Sequence, residues 1–315
     1  VRVSRGRFIA LRNVILLHQT IHAPTLAYLR LFLALPAVAE LNPEWTTPLA
    51  PFQIADNLYY VGSQELAAYL VTTRAGNILI NANLETSPPQ IRENVEKLGF
   101  QWADTKILLN SQAHFDHMAG AAQILRETGA KNMVMEGDAD VVESGGRTDF
   151  LFAIKAVPPF PPAKVDRILK DGDTVELGGV TLTAHKTAGH TRGCTTWTLP
   201  VHLPGEPADK LRNVVIVGGI MFWSDFRLID AGDKKASYPS IAEDFARTFR
   251  MLQSLPCDIF LGAHGSYFGL KGKLPRFEKE GPQVFLDPAG YKEFVAKGQA
   301  AFEAALKKEQ EAVQP

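Results

Sequence analysis

A short apolar run, Thr105-Lys106-Ile107-Leu108-Leu109, ends on Asn110-Ser111-Gln112-Ala113-His114-Phe115-Asp116-His117, and this junction constrains the chain more than any other stretch. The β-prone run predicts a buried strand. Met118 to Thr128 has helical composition and stops at Gly129, so the polar cluster is expected on a strand-to-helix loop. Two imidazoles and a carboxylate within four positions, with an amide side chain two residues upstream, supply four nitrogen or oxygen donors. They cannot all share one helix face at this spacing. A turn after a strand splays them around two centres, which is a metal-binding arrangement.

The rest of the composition fits a globular enzyme. Of 315 residues 46% are hydrophobic and 21% charged, with a net charge of −1, so core-forming material is ample and no basic excess points to nucleic acid. No Gly/Ser or charged linker interrupts the chain after residue 45, which predicts one large domain, and no repeat occurs at solenoid periods.

The amino end differs. Arg2, Arg5, Arg7 and Arg12 accompany apolar stretches at Phe8 to Leu17 and Leu26 to Leu35, and Ala37-Val38-Ala39 offers a small-x-small cleavage site before Glu40. Residues 1–39 therefore read as an export leader and 40–315 as the working domain, located in the periplasm or secreted. The competing reading is an amino-terminal helix or membrane anchor, although neither apolar run reaches the ~20 residues that a span needs. The two cysteines, Cys194 and Cys257, match no zinc ribbon and are expected as buried thiols.

From Glu40 onward the signals alternate. Asn57 to Val61 and Ala67 to Thr72 read as a hairpin, Asn77 to Ile80 as a strand, and Pro88 to Leu98 as an amphipathic helix with Pro at its start. After the cluster come a strand at Asn132 to Met135 and a helix at Asp138 to Glu143. Residues 144 to 165 are irregular and hold Phe150, Phe152, Phe160 and four prolines, the composition of a lid. Strands follow near Thr174 to Leu177, Val180 to His185, Cys194 to Leu199 and Val214 to Val217. A helix at Ser240 to Leu255, a strand at Asp258 to Leu261 and a helix from Ala289 to Lys308 close the chain. Two groups of strands with helices nearby predict two sheets packed face to face with helices outside.

Among the other histidines, His18, His22 and His202 fall in the leader or a polar loop. His190 lies in Ala188-Gly189-His190-Thr191-Arg192-Gly193 and His264 in Leu261-Gly262-Ala263-His264-Gly265, each where a strand runs into glycine. Either alone would read as structural. Beside the dense cluster, both fit metal ligands brought in by folding. His185 reads as a core residue or a neighbour of the ligands.

Here the chain resembles the metallo-β-lactamase-fold hydrolases, and most closely their subclass B3. The resemblance runs from about Trp45 to the final helix. Its elements are Ala50-Pro51-Phe52-Gln53-Ile54-Ala55-Asp56-Asn57, the His/Asp/His cluster, Asp171-Gly172, Thr187-Ala188-Gly189-His190-Thr191 and Leu255-Pro256-Cys257-Asp258. It implies an α/β (α+β) fold, an αββα sandwich of two mixed sheets with helices on the outer faces. It also implies two zinc sites. By position, Gln112, His114 and His190 would hold the first zinc, and Asp116, His117 and His264 the second.

Two departures from the family pattern matter. Gln112 stands where the superfamily's His-x-His-x-Asp-His motif has its first histidine, and a neutral amide oxygen is a poorer zinc donor than imidazole. The Asp116/His117/His264 site is therefore expected to fill preferentially. The second departure lies in Val214-Val215-Ile216-Val217-Gly218-Gly219-Ile220-Met221, which has glycine where glyoxalase II, the RNA-processing nucleases and the lactone hydrolases carry a bridging aspartate. That favours the lactamase subclass.

The resemblance implies zinc-dependent hydrolysis of the amide bond of β-lactam antibiotics (penicillins, cephalosporins, carbapenems) by metal-bound hydroxide, with Asp116 as the catalytic residue that orients it. No Ser-x-x-Lys or nucleophile elbow argues for a serine mechanism. Phe152, Phe222 and Ser224, with Trp45, Phe160 and Trp223, are candidate substrate contacts, and Arg192 a candidate partner for a substrate carboxylate, although a solvated charge is the simpler reading. The expected partner is a small-molecule β-lactam met by a monomer, with no stable membrane insertion after leader cleavage. Two other functions compete: an exported hydrolase of other esters or lactones, and a zinc-binding protein with little catalysis.

Overall fold

The computed structural model describes residues 42–313, so the expected leader lies outside the described residues. A seven-stranded sheet comes first in the chain. β1 (Phe52–Ala55), β2 (Leu58–Tyr60), β3 (Tyr69–Thr73) and β4 (Gly76–Ile80) form an antiparallel meander, and β5 (Thr105–Leu109), β6 (Lys131–Met135) and β7 (Arg167–Leu169) continue it in parallel. The parallel strands need crossovers, and helices supply them: α1 (Pro88–Lys97), then α2 (Phe115–Met118) with α3 (Ala121–Thr128), then α4 (Ala139–Ser144).

The second sheet has five strands. β8 (Thr174–Leu177), β9 (Val180–Lys186), β10 (Thr195–His202) and β11 (Leu211–Val217) are antiparallel, and β12 (Ile259–Gly262) joins β11 in parallel after α5 (Ile241–Ser254). Helices α6 (Leu270–Glu280) and α7 (Pro288–Val313) end the described chain. Among the described residues no helix is long and apolar enough to cross a membrane. The two mixed sheets with their helices give the αββα sandwich that the alternating signals anticipate.

The period-2 alternation of strands assigns each core its residues. Tyr69, Val71, Ile78, Ile80, Ile107 and Leu109 face the larger core between the sheets. Their neighbours Leu70, Leu79 and Leu108 face a second core with Ile91 and Val95 of α1 and Ile124 of α3. β11 is buried throughout its Val214–Val217 run, because α5 and α7 cover its other side with Phe245, Phe249 and Phe302.

The structure differs from the sequence expectation at the helix after β5. The expected Met118 to Thr128 helix is two pieces, and Asp116 and His117 lie in the first, α2, rather than in a loop. The break falls at Gly120, which packs so tightly that a Cβ there would sit 2.4 Å from the Ala82 carbonyl oxygen. Gly129 ends α3 in the left-handed region (φ 68°), as its position predicts. Strands β1 and β7 and helix α6 are additional to the expected elements. Residues 145 to 166 contain neither helix nor strand, as expected. Cys194 is a buried free thiol and Cys257 a half-buried one.

Candidate metal centre

Every strand that feeds the centre ends at the same edge of the sandwich. β5 delivers Asn110 to His117, the β9–β10 turn delivers His190, and β12 delivers His264. The first stretch is fixed from both sheets. Trp197 Nε1 donates to the Asn110 carbonyl (2.8 Å), the Thr195 amide donates to the Ser111 carbonyl (2.7 Å), and Asn81 Oδ1 accepts from the Ser111 amide and hydroxyl (2.8 and 2.9 Å). Asn81 has φ 70°, a left-handed conformation that asparagine tolerates better than most residues. His264 is held by its neighbours, since the Ala263 amide bonds the Val217 carbonyl and the Gly265 amide bonds the Glu65 carbonyl.

Three ligand-capable atoms converge. His117 Nε2 lies 3.2 Å from His264 Nε2 and 3.3 Å from Asp116 Oδ2, and His264 Nε2 lies 3.5 Å from the same Asp116 oxygen. Donors about 2.0–2.1 Å from a tetrahedral zinc stand roughly 3.3 Å from one another, so this triangle has the spacing of three zinc ligands. Asp116 and His117 are buried and His264 is nearly so. Burial opposes ionisation of Asp116, but His117 and His264 overcome it and hold the carboxylate well below the usual aspartate range. On His264 burial again opposes charge, yet Asp116 and Glu65 raise the group to about 9, and Glu65 Oε1 stands 3.5 Å from its Nδ1. Burial pushes His117 down, against the pull of Asp116.

The other set is looser. The rings of His114 and His190 lie 4.8 Å apart. His190 Nδ1 donates to the Met221 carbonyl (2.5 Å), which leaves its Nε2 as the nitrogen with a free lone pair. Burial drives His190 down to about 4, and burial, with His190 as a competing neighbour, drives His114 well below the usual histidine value, so both are neutral at pH 7. Asp149 Oδ2 stands 3.8 Å from His114 Nε2, both side chains being buried. Gln112 is buried, and its Oε1 finds no hydrogen-bond donor among the described residues. An orphaned, buried acceptor beside two neutral imidazoles is what a cation would satisfy. The donor set therefore fits zinc at both places, with the amide as the weakest member.

A cleft of about 420 Å³ opens over these groups. Its walls include Trp45, Phe115, Ala156, Val157, Met221, Trp223 and Tyr267. Trp45 lies 6.1 Å from the His264 ring and Trp223 5.4 Å from that of His190. Other candidate contacts lie elsewhere. Phe160 is buried in the helix-side core, Phe152 packs against the inter-sheet core, and Phe222 and Ser224 line a groove against α7. Large aromatics in an irregular stretch went to the core because nothing else there is big enough to fill it. Arg192 is exposed, with its guanidinium 5.4 Å from the Tyr238 ring centre, and among the described residues no lysine or arginine lines the cleft. His185 stands apart, its Nε2 2.9 Å from Thr198 Oγ1.

Three positions that sequence reasoning passed over support the site. Asp138 Oδ2 accepts from the Ala113 amide (2.9 Å) and the Thr191 hydroxyl (2.7 Å), and its Oδ1 accepts from the Gly193 amide (2.8 Å). Glu65 Oε1 accepts from Ser266 Oγ while facing His264. Glu309 Oε2, on α7, accepts from the Leu228 and Ile229 amides (2.9 and 3.1 Å), in the segment that also carries Met221 and Trp223. No local sequence signal marks them, since each lies more than twenty residues from the nearest ligand.

A family model described as the metallo-beta-lactamase superfamily matches residues 67–264, a span that begins just before β3 and ends on His264. The chain belongs to this superfamily. The native FEZ-1 metallo-beta-lactamase from Legionella gormanii is 46% identical, with 84% of this chain and 98% of that one covered and a TM-score of 0.79. The class B3 di-zinc metallo-beta-lactamase LRA-12 from an Alaskan soil metagenome is 37% identical, over 84% of this chain and 97% of that one, with a TM-score of 0.75. A probable metallo-hydrolase of Burkholderia pseudomallei is 27% identical over 172 residues, 54% of each chain, so this chain spans about half the length of that curated relative. Within the superfamily the chain is a metallo-β-lactamase-fold zinc hydrolase of the subclass B3 kind.

Proposed function

We propose that the chain hydrolyses the amide bond of β-lactam antibiotics, with zinc held by Gln112, His114 and His190 at one position and by Asp116, His117 and His264 at the other. The observation that carries this reading is the 3.2–3.5 Å triangle of Asp116, His117 and His264 atoms in a chain that is 46% identical to a metallo-β-lactamase. Zinc, when bound, supplies Lewis acidity that makes water nucleophilic near neutral pH.

The remaining work falls to the protein. Asp116 and Glu65 are the acids on the cleft, and Glu65 is engaged by Ser266 and His264. Asp116, also beside His117 and His264 but set among the proposed ligands and held ionised, is the acid placed to orient the attacking water as a hydrogen-bond acceptor. Trp45 and Trp223 stand on opposite ligand sets and give the apolar part of a bicyclic substrate two aromatic surfaces to pack on. Among the described residues no lysine or arginine is on the walls, so bound zinc would be the cation available to a substrate carboxylate.

Glycine at 218 and 219 supports this reading over the lactone and thioester hydrolases with a bridging acid. A Cβ at Gly219 would stand 3.1 Å from His190 Cδ2, and one at Gly218 2.2 Å from the Thr195 carbonyl oxygen. The arginines and apolar runs before Glu40 support export, and we place the working protein in the periplasm or outside the cell.

The test is hydrolysis by the purified zinc-loaded chain of a penicillin, a cephalosporin, a carbapenem and a simple lactone, beside Asp116→Ala. Ring opening of at least one β-lactam that the variant loses is expected. Lactone turnover far above β-lactam turnover would overturn the substrate, and zinc uptake without either turnover would overturn the enzyme.

A further inference from the structure

Asp138 sits at the start of α4, where an aspartate ordinarily caps the helix by accepting from an amide of the first turn. Here the side chain makes no such bond. Both oxygens turn away, to three donors on two loops: the Ala113 amide between Gln112 and His114, and the Thr191 hydroxyl and Gly193 amide just after His190. The carboxylate is fully buried. The backbone is shaped to admit it, since a Cβ on Gly193 would stand 2.6 Å from the Asp138 nitrogen and 2.7 Å from its Cβ.

These loops come from different sheets, one following β5 and the other joining β9 to β10. We propose that Asp138 is a positioning residue that clamps the Gln112–His114 loop to the His190 loop and so sets the separation of the first zinc's ligands. The inference rests on the metal assignment above. It explains how a set with one neutral amide and two imidazoles holds its geometry: the fixed loops do the work that a third strong donor would otherwise do. Asp116, His117 and His264 receive nothing from Asp138, and their set stands outside the clamp.

Asparagine is nearly isosteric but cannot serve all three donors. With its oxygen toward Ala113 and Thr191, its NH2 faces the Gly193 N–H; reversed, it faces the Ala113 N–H. The experiment uses the full chain stripped of metal and titrated with zinc against a chromophoric chelator, with cobalt absorption as a second readout. His190→Ala and His264→Ala chains tell the two sites apart. Asp138→Asn is expected to weaken the first site about 10–100-fold, the usual effect of losing a residue that orients a ligand, and to leave the second unchanged. Thr191→Val removes one donor at constant shape and is expected to cause a smaller loss at the same site. Gln112→His, by adding an imidazole, is expected to recover first-site affinity in the Asp138→Asn chain.

Unchanged affinity at the first site, or equal loss at both, overturns the proposal. If Asp138→Asn does not fold, Thr191→Val decides by the same criterion. A wild-type chain that takes up no zinc overturns the functional reading itself, and is distinguished by that from failure of the clamp.

Discussion

The two ligand sets reach similar ends by different means. Asp116, His117 and His264 bring three titratable donors within 3.5 Å of one another, and the attraction between the Asp116 carboxylate and the His264 imidazolium adds to the backbone bonds that place them. Gln112, His114 and His190 include no charged member at neutral pH, and groups outside the set hold their loops: the Met221 carbonyl accepts from His190, and Asp138 bonds the Ala113 amide and the Thr191 hydroxyl, while Asp149 stands 3.8 Å from His114 without a hydrogen bond. Where donors attract one another, charge reinforces the fold in holding the site. Where they do not, the surrounding protein must supply the order.

The change that breaks this contrast most strongly is Asp116→Ala, which removes both a ligand and the acceptor that orients the water. Hydrolysis is expected to fall about 10²–10⁴-fold, read as kcat/KM, with zinc lost from the second site first. Next comes pH. His264 is raised from the ordinary 6.5 to about 9, so in the metal-free chain its ion pairs add stability that is complete below the unfolded value and is lost as pH rises through about 9. Zinc must displace that proton. Affinity at the second site is expected to climb about tenfold per pH unit from 7 to 9, while the first set, with His190 at about 4, stays level. Calorimetric titration in buffers of different ionisation enthalpy counts the proton directly; equal release from both sites would erase the distinction.

Gln112→His sharpens the comparison from the other side. A third imidazole is expected to raise first-site affinity about 10–100-fold and bring the two dissociation constants together, as measured by chelator competition. The smallest effect is a control remote from both sets. Asp287 accepts from Lys273 Nζ (2.7 Å) and the Gly290 amide (2.8 Å) at the start of α7. Burial opposes its charge, but Lys273 wins and lowers its pKa, so its contribution is present at neutral pH and is lost as pH falls through that lowered value. Asp287→Ala is expected to cost about 1–2 kcal/mol in urea denaturation and to leave both metal sites unmoved.

Much of this was legible in the chain. Period-2 alternation revealed the central strands because one face of each meets a core, and the density of His and Asp around residue 114 marked the centre. His190 and His264 were legible only through their setting at strand ends. β7 was not, since Arg167 and Ile168 are both exposed and no alternation survives in three residues. Helix α6 was hidden by Gly272 and by Pro275 within it. Which aromatics reach the cleft was illegible for a different reason, Trp45 and Trp223 doing so and three phenylalanines not. Residue type says that Phe152, Phe160 and Phe222 want burial but not against what, and packing sent them to cores and a back groove while Ala156 and Val157 took the cleft wall. The bonds of Asp138 and Glu309 span 25 to 81 positions, and no local pattern encodes such pairs.

Glu309 has a consequence for how such a molecule adapts. Its carboxylate grips the Leu228 and Ile229 amides, five and six residues after Trp223, so a residue outside the cleft anchors the segment from which a cleft residue projects. On the proposed function, substitutions along α7 are a route to altered selectivity that mutagenesis libraries restricted to the cavity lining would overlook.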